Sequence, residues 1–177
     1  MGLTRRAVCN MQVVLACMFA FSTTAHAATL NICWTGAGGY TMTGRMELPD
    51  AAMRKRLVTE KDITAFQITG YLNGEKIGSW NLKQRTPATT WFLRFEPKTL
   101  SFPVGGNFGS LVSQGWNADG DVEDCGNPGF GFNSGNYAQD VCVNGRYVEK
   151  SSIDPVTPLI ATYDPVTPDC RNVAALS

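Results

Sequence analysis

The stretch Ile63-Thr64-Ala65-Phe66-Gln67-Ile68-Thr69-Gly70-Tyr71-Leu72-Asn73-Gly74-Glu75-Lys76-Ile77-Gly78-Ser79-Trp80-Asn81-Leu82-Lys83 reads as two strands about a turn. Phe66 and Ile68 alternate with polar neighbours, which is the period of a half-buried strand and not of a helix. Asn73-Gly74 supplies two residues that accept positive φ, the requirement of a tight hairpin. The register decides which side chains share a face. A two-residue turn pairs 72 with 75 and sets Phe66 opposite Asn81, sending Trp80 and Leu82 to the other side. A three-residue loop, Leu72-Asn73-Gly74, pairs 71 with 75 and sets Phe66 opposite Trp80, with Ile68 and Leu82 on the same side. A slip of one residue exchanges every face, so the apolar pattern favours the three-residue loop with Gly74 at its left-handed position.

The same rhythm extends outward. Thr29 to Trp34, Tyr40 to Leu48, Thr89 to Glu96 and Leu100 to Val104 are further strands, mostly bounded by Gly, Pro or Asn. In Thr89 to Glu96, Trp91, Leu93 and Phe95 fall on a core side. Phe92 interrupts the polar side and is a candidate exposed contact. Asn144-Gly145 predicts a second hairpin, with Cys142 opposite Tyr147 and Val141 opposite Val148. Pro49 to Arg56 is the one place for a short helix. With 18 Gly and 9 Pro in 177 residues, the pattern predicts an all-β protein: a disulfide-braced antiparallel β-sandwich, jelly-roll-like, with long Gly/Asn-rich loops and at most one short helix.

Fifteen basic and fifteen acidic residues argue against a nucleic-acid partner. Arg5 and Arg6 precede an apolar run from Met11 to Phe21, followed by Ala25-His26-Ala27, the pattern of a cleaved signal peptide over 1–27. Twin-arginine export and lipoprotein processing at Cys17 are weaker alternatives. The run is too short to span a bilayer and no later stretch offers a transmembrane anchor. The expected organisation is a signal peptide, a β-sandwich domain over 28–150 and a Pro-rich C-terminal strap over 151–177, exported to the periplasm or the extracellular space.

Cleavage after Ala27 removes His26, the sole histidine. A mature chain without imidazole excludes nucleophiles that depend on a histidine base and zinc or copper sites built on histidine. Four cysteines remain, Cys33, Cys125, Cys142 and Cys170, an even number in an exported chain and hence a disulfide framework. Three pairings are open. The preferred one joins Cys33 to Cys170, tying the ends together, and Cys125 to Cys142. A four-thiolate metal site lacks the C-x-x-C pairs it normally shows.

From Thr99 to Gly145 no Lys or Arg occurs, while Asp119, Asp121, Glu123, Asp124 and Asp140 do; residues 45–98 carry ten basic and six acidic side chains. Opposite fields on one small domain concern partners. Within the acidic segment, residues 105–136 hold nine Gly and five Asn, a composition of long loops. Oxygen-bearing Asn117, Asp119, Asp121, Glu123 and Asp124 crowd into one such loop and suit a calcium ion. The match to an EF-hand is poor, because Val122 stands where glycine is needed. A solvated acidic loop is the plainer reading. Trp116, ahead of the cluster, is expected to be exposed and to stack on a sugar ring.

The tail repeats Asp154-Pro155-Val156-Thr157-Pro158 as Asp164-Pro165-Val166-Thr167-Pro168, which suits an edge-protecting strap pinned by Cys170, with Leu159 to Tyr163 docking as a strand. The function these features favour is a non-catalytic binding module recognising a glycan or cell-envelope component through the 105–136 loops. One alternative is a structural or adhesive surface protein with a calcium-stabilised acidic loop. Another is a histidine-free glycoside hydrolase using Glu123 or Asp124 with Asp140 or Glu96.

Overall fold

The computed structural model describes residues 26–120 and 124–171; most of the signal segment, and Asp121 and Glu123 of the acidic loop, lie outside the described residues. The protein is all-β and antiparallel. Its strands are β1 (Ala27–Thr35), β2 (Tyr40–Pro49), β3 (Val58–Thr59), β4 (Ala65–Leu72), β5 (Glu75–Asn81), β6 (Trp91–Phe92) and β7 (Arg94–Phe95). They continue as β8 (Ser101–Phe102), β9 (Gln114–Trp116), β10 (Phe130–Ser134), β11 (Gln139–Val143), β12 (Arg146–Tyr147) and β13 (Leu159–Thr162). Among the described residues the helical content is single 3-10 turns, one of them at Ala52–Arg54 inside the segment expected to be a short helix.

Six strands form one sheet in the order β5-β4-β2-β1-β13-β8, five form a second in the order β12-β11-β10-β9-β6, and β3 and β7 pair as a separate two-stranded sheet. The chain passes repeatedly between the two larger sheets, which pack as the layers of a sandwich around the main core. Alternation builds its first wall: Leu30, Ile32 and Trp34 of β1 face inward beside Met42, Met46 and Leu48 of β2 and Phe66 and Ile68 of β4. Phe130 of β10 meets that wall at the paired glycines Gly70 and Gly78. A Cβ at 70 would lie 2.0 Å from the Phe130 ring, so the absence of side chains there makes the notch that lets the layers approach.

The first hairpin corrects the expected loop and keeps the expected faces. Leu72 pairs with Glu75 across a two-residue turn, in which Asn73 and Gly74 both take positive φ, 51° and 86°. Two residues further on the register shifts: Gly70 pairs with Gly78 but Tyr71 with Lys76, leaving Ile77 as the extra residue of a bulge. Trp80 is thereby returned to the side of Phe66 and Ile68, but it stands opposite Ile68 and not opposite Phe66 as the three-residue loop required. The second hairpin pairs Cys142 with Tyr147, as the spacing predicts.

The Gly/Asn-rich segment corrects the expectation of loops throughout 105–136. It supplies β9 and β10, whose residues are all buried. Gly131 lets β10 pass the Asn117 carbonyl, which a Cβ would approach to 2.2 Å. The tail is more than a strap at an edge, because β13 is an interior strand paired with β1 and β8. Buried Gln139 holds the lead-in to it, donating from Nε2 to the Pro155 and Thr157 carbonyls while its Oε1 accepts from Trp34 Nε1 at 3.0 Å. Both preferred disulfides are present, Cys33–Cys170 and Cys125–Cys142, as suits an oxidising compartment. Among the described residues no helix is long and apolar enough to cross a membrane.

Candidate functional site

Pleating turns Phe130, Phe132 and Val141 of β10 and β11 into the core. It turns Asn133 and Asp140, which are directly opposed, to the outer face of the five-stranded sheet. Cys142 and Tyr147 share that outer face. The described residues of the acidic loop, among them Ala118, Gly120 and Cys125, lie against it. Cys125 is bonded to Cys142, and Ala118 packs with this pair as a small second core. The Asn117 amide donates to the Cys125 carbonyl at 3.0 Å and to the Phe130 carbonyl at 2.9 Å, so one side chain fastens both ends of the loop to the sheet.

Between this loop, residues 107–108 and the turn joining β10 to β11 lies a cleft of about 470 Å³, a size suited to a small organic ligand. Asn133 and Asp140 form part of its wall, Asp119 and Gly120 come from the acidic loop, and Phe108, Tyr137 and Tyr147 bring aromatic rings. Tyr137 sits at the tip of the β10–β11 turn, which the Gly135 N–H to Ala138 carbonyl bond closes, and is 91 % exposed. Gly120 has φ +82°, and a Cβ there would lie 2.6 Å from Asn133 Oδ1, so glycine allows the loop to pass this close.

Asp140 is 4 % exposed. Burial pushes its carboxyl up to about 6, against the pull of hydrogen bonds from Tyr147, Asn133 and Ser152. Asn133 Nδ2 donates to Asp140 Oδ1, and Tyr147 and Ser152 share a hydroxyl contact of 2.8 Å. Desolvation also raises the Tyr147 phenol above its ordinary value, with the Asp140 charge adding to it. The resulting group is a carboxylate held by three polar neighbours at the edge of an aromatic-lined opening.

Trp116 is not the exposed platform expected of it. It is fully buried and packs against Phe66, Phe102 and Phe132 at centroid distances of 5.0, 5.2 and 4.9 Å. Its short strand lies between β10 and β6, and Gln114 beside it stays buried by bonding both Arg94 backbone groups and the Pro103 carbonyl. Phe92 is half-buried, covered by the Arg94 guanidinium at 3.7 Å and 6.4 Å from Phe108. It backs the cleft through Phe108 and does not line it.

The acidic residues divide. Asp119 lines the cleft, Asp124 accepts from Thr90 Oγ1 at 2.7 Å, and Asn117 is committed to the loop backbone. Among the described residues no group of three metal-ligating side chains converges. Of the acids considered for hydrolysis, Asp140 lines the cleft whereas Asp124 and Glu96 do not. Tyr137 escaped the sequence reading; its signal was an aromatic residue within Gly135-Asn136-Tyr137-Ala138, a polar turn between two apolar runs.

A larger hollow of about 560 Å³ lies along Arg45, Glu47, Gln67, Asn81 and Lys83. Arg45 and Glu47 there are paired at 2.9 Å, and the one aromatic ring among its described lining residues, Phe66, is buried, so it offers less to a ligand than the smaller cleft. No protein-family model, curated protein or solved structure matches this chain.

Proposed function

We propose that the protein is an exported, non-catalytic binding module that holds a glycan in the cleft between the acidic loop and the β10–β11 turn. The observation that carries this reading is Tyr137, an almost fully exposed ring beside the buried Asn133–Asp140 pair. Sugars present both an apolar face and a fringe of hydroxyls, and a ring for the face with fixed amide and carboxylate groups for the hydroxyls is the chemistry that meets them. The disulfides favour an oxidising location, and the apolar run ahead of Ala25-His26-Ala27 supplies the route there. Calorimetric titration of the mature protein with neutral, amino and acidic oligosaccharides tests the reading. Saturable binding that Tyr137→Ala abolishes, with unchanged melting, supports it; binding to none of the three classes overturns it.

A further inference from the structure

We propose that the Asp164–Pro165 peptide bond is a self-processing site, cut in mild acid by the Asp164 carboxyl group, so that residues 165–177 stay covalently attached only through the Cys33–Cys170 disulfide. The tail crosses the outer face of the six-stranded sheet. Asn31 and Cys33 alternate with the buried Leu30 and Ile32 of β1, Cys33 is bonded to Cys170, and Thr41 Oγ1 of β2 donates to the Pro168 carbonyl at 2.6 Å. Within this strap the Asp164 carbonyl, the group that the cut must attack, accepts from Asn31 Nδ2 at 3.0 Å. The Asp164 N–H donates to Thr162 Oγ1 at 3.0 Å. Both backbone groups of the residue are therefore held, while its exposed carboxyl group has no partner among the described residues.

An Asp-Pro bond suits this chemistry. The carboxyl group reaches its own residue's carbonyl carbon in a small ring, which makes the attack intramolecular, and proline supplies a tertiary amide whose nitrogen, once protonated, departs as a secondary amine. The Asp164 carboxyl oxygen forms a C–O bond to the carbonyl carbon, and the oxyanion so created is held by the Asn31 N–H. The acid proton passes to the Pro165 nitrogen and the C–N bond breaks. Water then opens the cyclic anhydride, so that one water is consumed and the aspartate side chain is restored.

The twin sequence gives an internal comparison. The Asp154 carbonyl is also held, by the Thr157 N–H at 3.1 Å, but Asp154 Oδ1 accepts from the Val156 N–H at 2.9 Å. That carboxylate is fixed in a turn it must leave before it can attack. Of the charged side chains on the strap and on β1 and β2 beneath it, Arg45 pairs with Glu47 and Arg171 with Asp169, and the other titratable groups there are the Tyr40 and Tyr163 phenols. Asp164 is the carboxyl group left to react.

The test holds the disulfide-intact mature protein at about pH 4, in the range where carboxyl groups take up protons, and follows it by mass spectrometry with and without reduction. Unreduced protein is expected to gain the mass of one water; after reduction a peptide beginning at Pro165 separates. Cutting after Asp164 is expected to be at least about tenfold faster than after Asp154, and Asn31→Ala to slow it by about that factor, the step that one hydrogen bond to a developing charge contributes. Asp164→Ala should stop it. Unfolding in urea should bring the two sites to equal rates. The comparison of the two sites in the wild-type chain depends on no variant folding. Absence of cutting, equal rates in the folded protein, a preference that persists in urea, or a rate that Asn31→Ala leaves unchanged would each overturn the proposal.

Discussion

Asn133 and Asp140 stand directly opposite one another on neighbouring strands, both less than a tenth exposed, with the amide donating to the carboxylate on the outer face of a sheet. Buried pairs of this kind are commonly core devices. This one borders a cleft, and its carboxyl has been moved from 3.8 to about 6 by its surroundings.

That displacement makes stability depend on pH. The folded protein holds a proton on Asp140 more tightly than the unfolded chain does, so stability falls as pH rises from 3.8 to about 6, and the full cost is present above that window. Asp140→Asn keeps the shape without the charge. It is expected to raise unfolding free energy by about 2–3 kcal/mol at neutral pH, with the gain vanishing in acid below the window. Urea titrations of both proteins across this range check the slope. A gain independent of pH would contradict it.

Trp116 and Tyr137 are expected to separate stability from binding. Trp116→Ala opens a cavity among Phe66, Phe102 and Phe132 and should cost about 3–5 kcal/mol. Tyr137→Ala removes an exposed ring and should alter stability by less than about 0.5 kcal/mol, while glycan binding is lost. Parallel melting and binding curves distinguish the two.

The disulfides differ in what they secure. Cys33–Cys170 spans 137 residues and Cys125–Cys142 spans 17, so chain entropy assigns about 5 kcal/mol to the first and about 3 to the second. Replacing the Cys33–Cys170 pair by alanine is expected to lower the melting temperature more. Replacing Cys125 and Cys142 is expected to weaken ligand binding more, because that bond fastens the loop carrying Asp119 and Gly120 to the sheet beneath.

Gly70→Ala would set a methyl group into the Phe130 ring. Overpacking of this kind costs about 1–3 kcal/mol. Gly74→Ala meets no neighbouring atom and pays only for its left-handed backbone, about 1 kcal/mol. Chemical denaturation of the two variants should rank them in that order.

The all-β class, the alternating core of β1, β2 and β4, the hairpin at Asn144-Gly145 and the presence of a disulfide framework could be read from the residues themselves, because period-two patterning, positive-φ turn residues and cysteine number are local or countable properties; which of the three pairings forms was a preference that the fold decided. At Asn73-Gly74 the faces of Phe66 and Trp80 followed from the same pattern, since apolar side chains must share the core. The bulge at Ile77 that reconciles them depends on pairing at a distance. Tertiary structure alone decided that Gly/Asn-rich residues would form buried strands: β9 and β10 have neighbours on both faces, so alternation disappears and glycine marks close approach instead of a loop. It also decided the cleft. Asp119, Asn133, Asp140 and Tyr147 come from four segments, and only the pleat of the sheet and the Cys125–Cys142 bond bring them to one face, because proximity across strands is set by register and not by spacing along the chain.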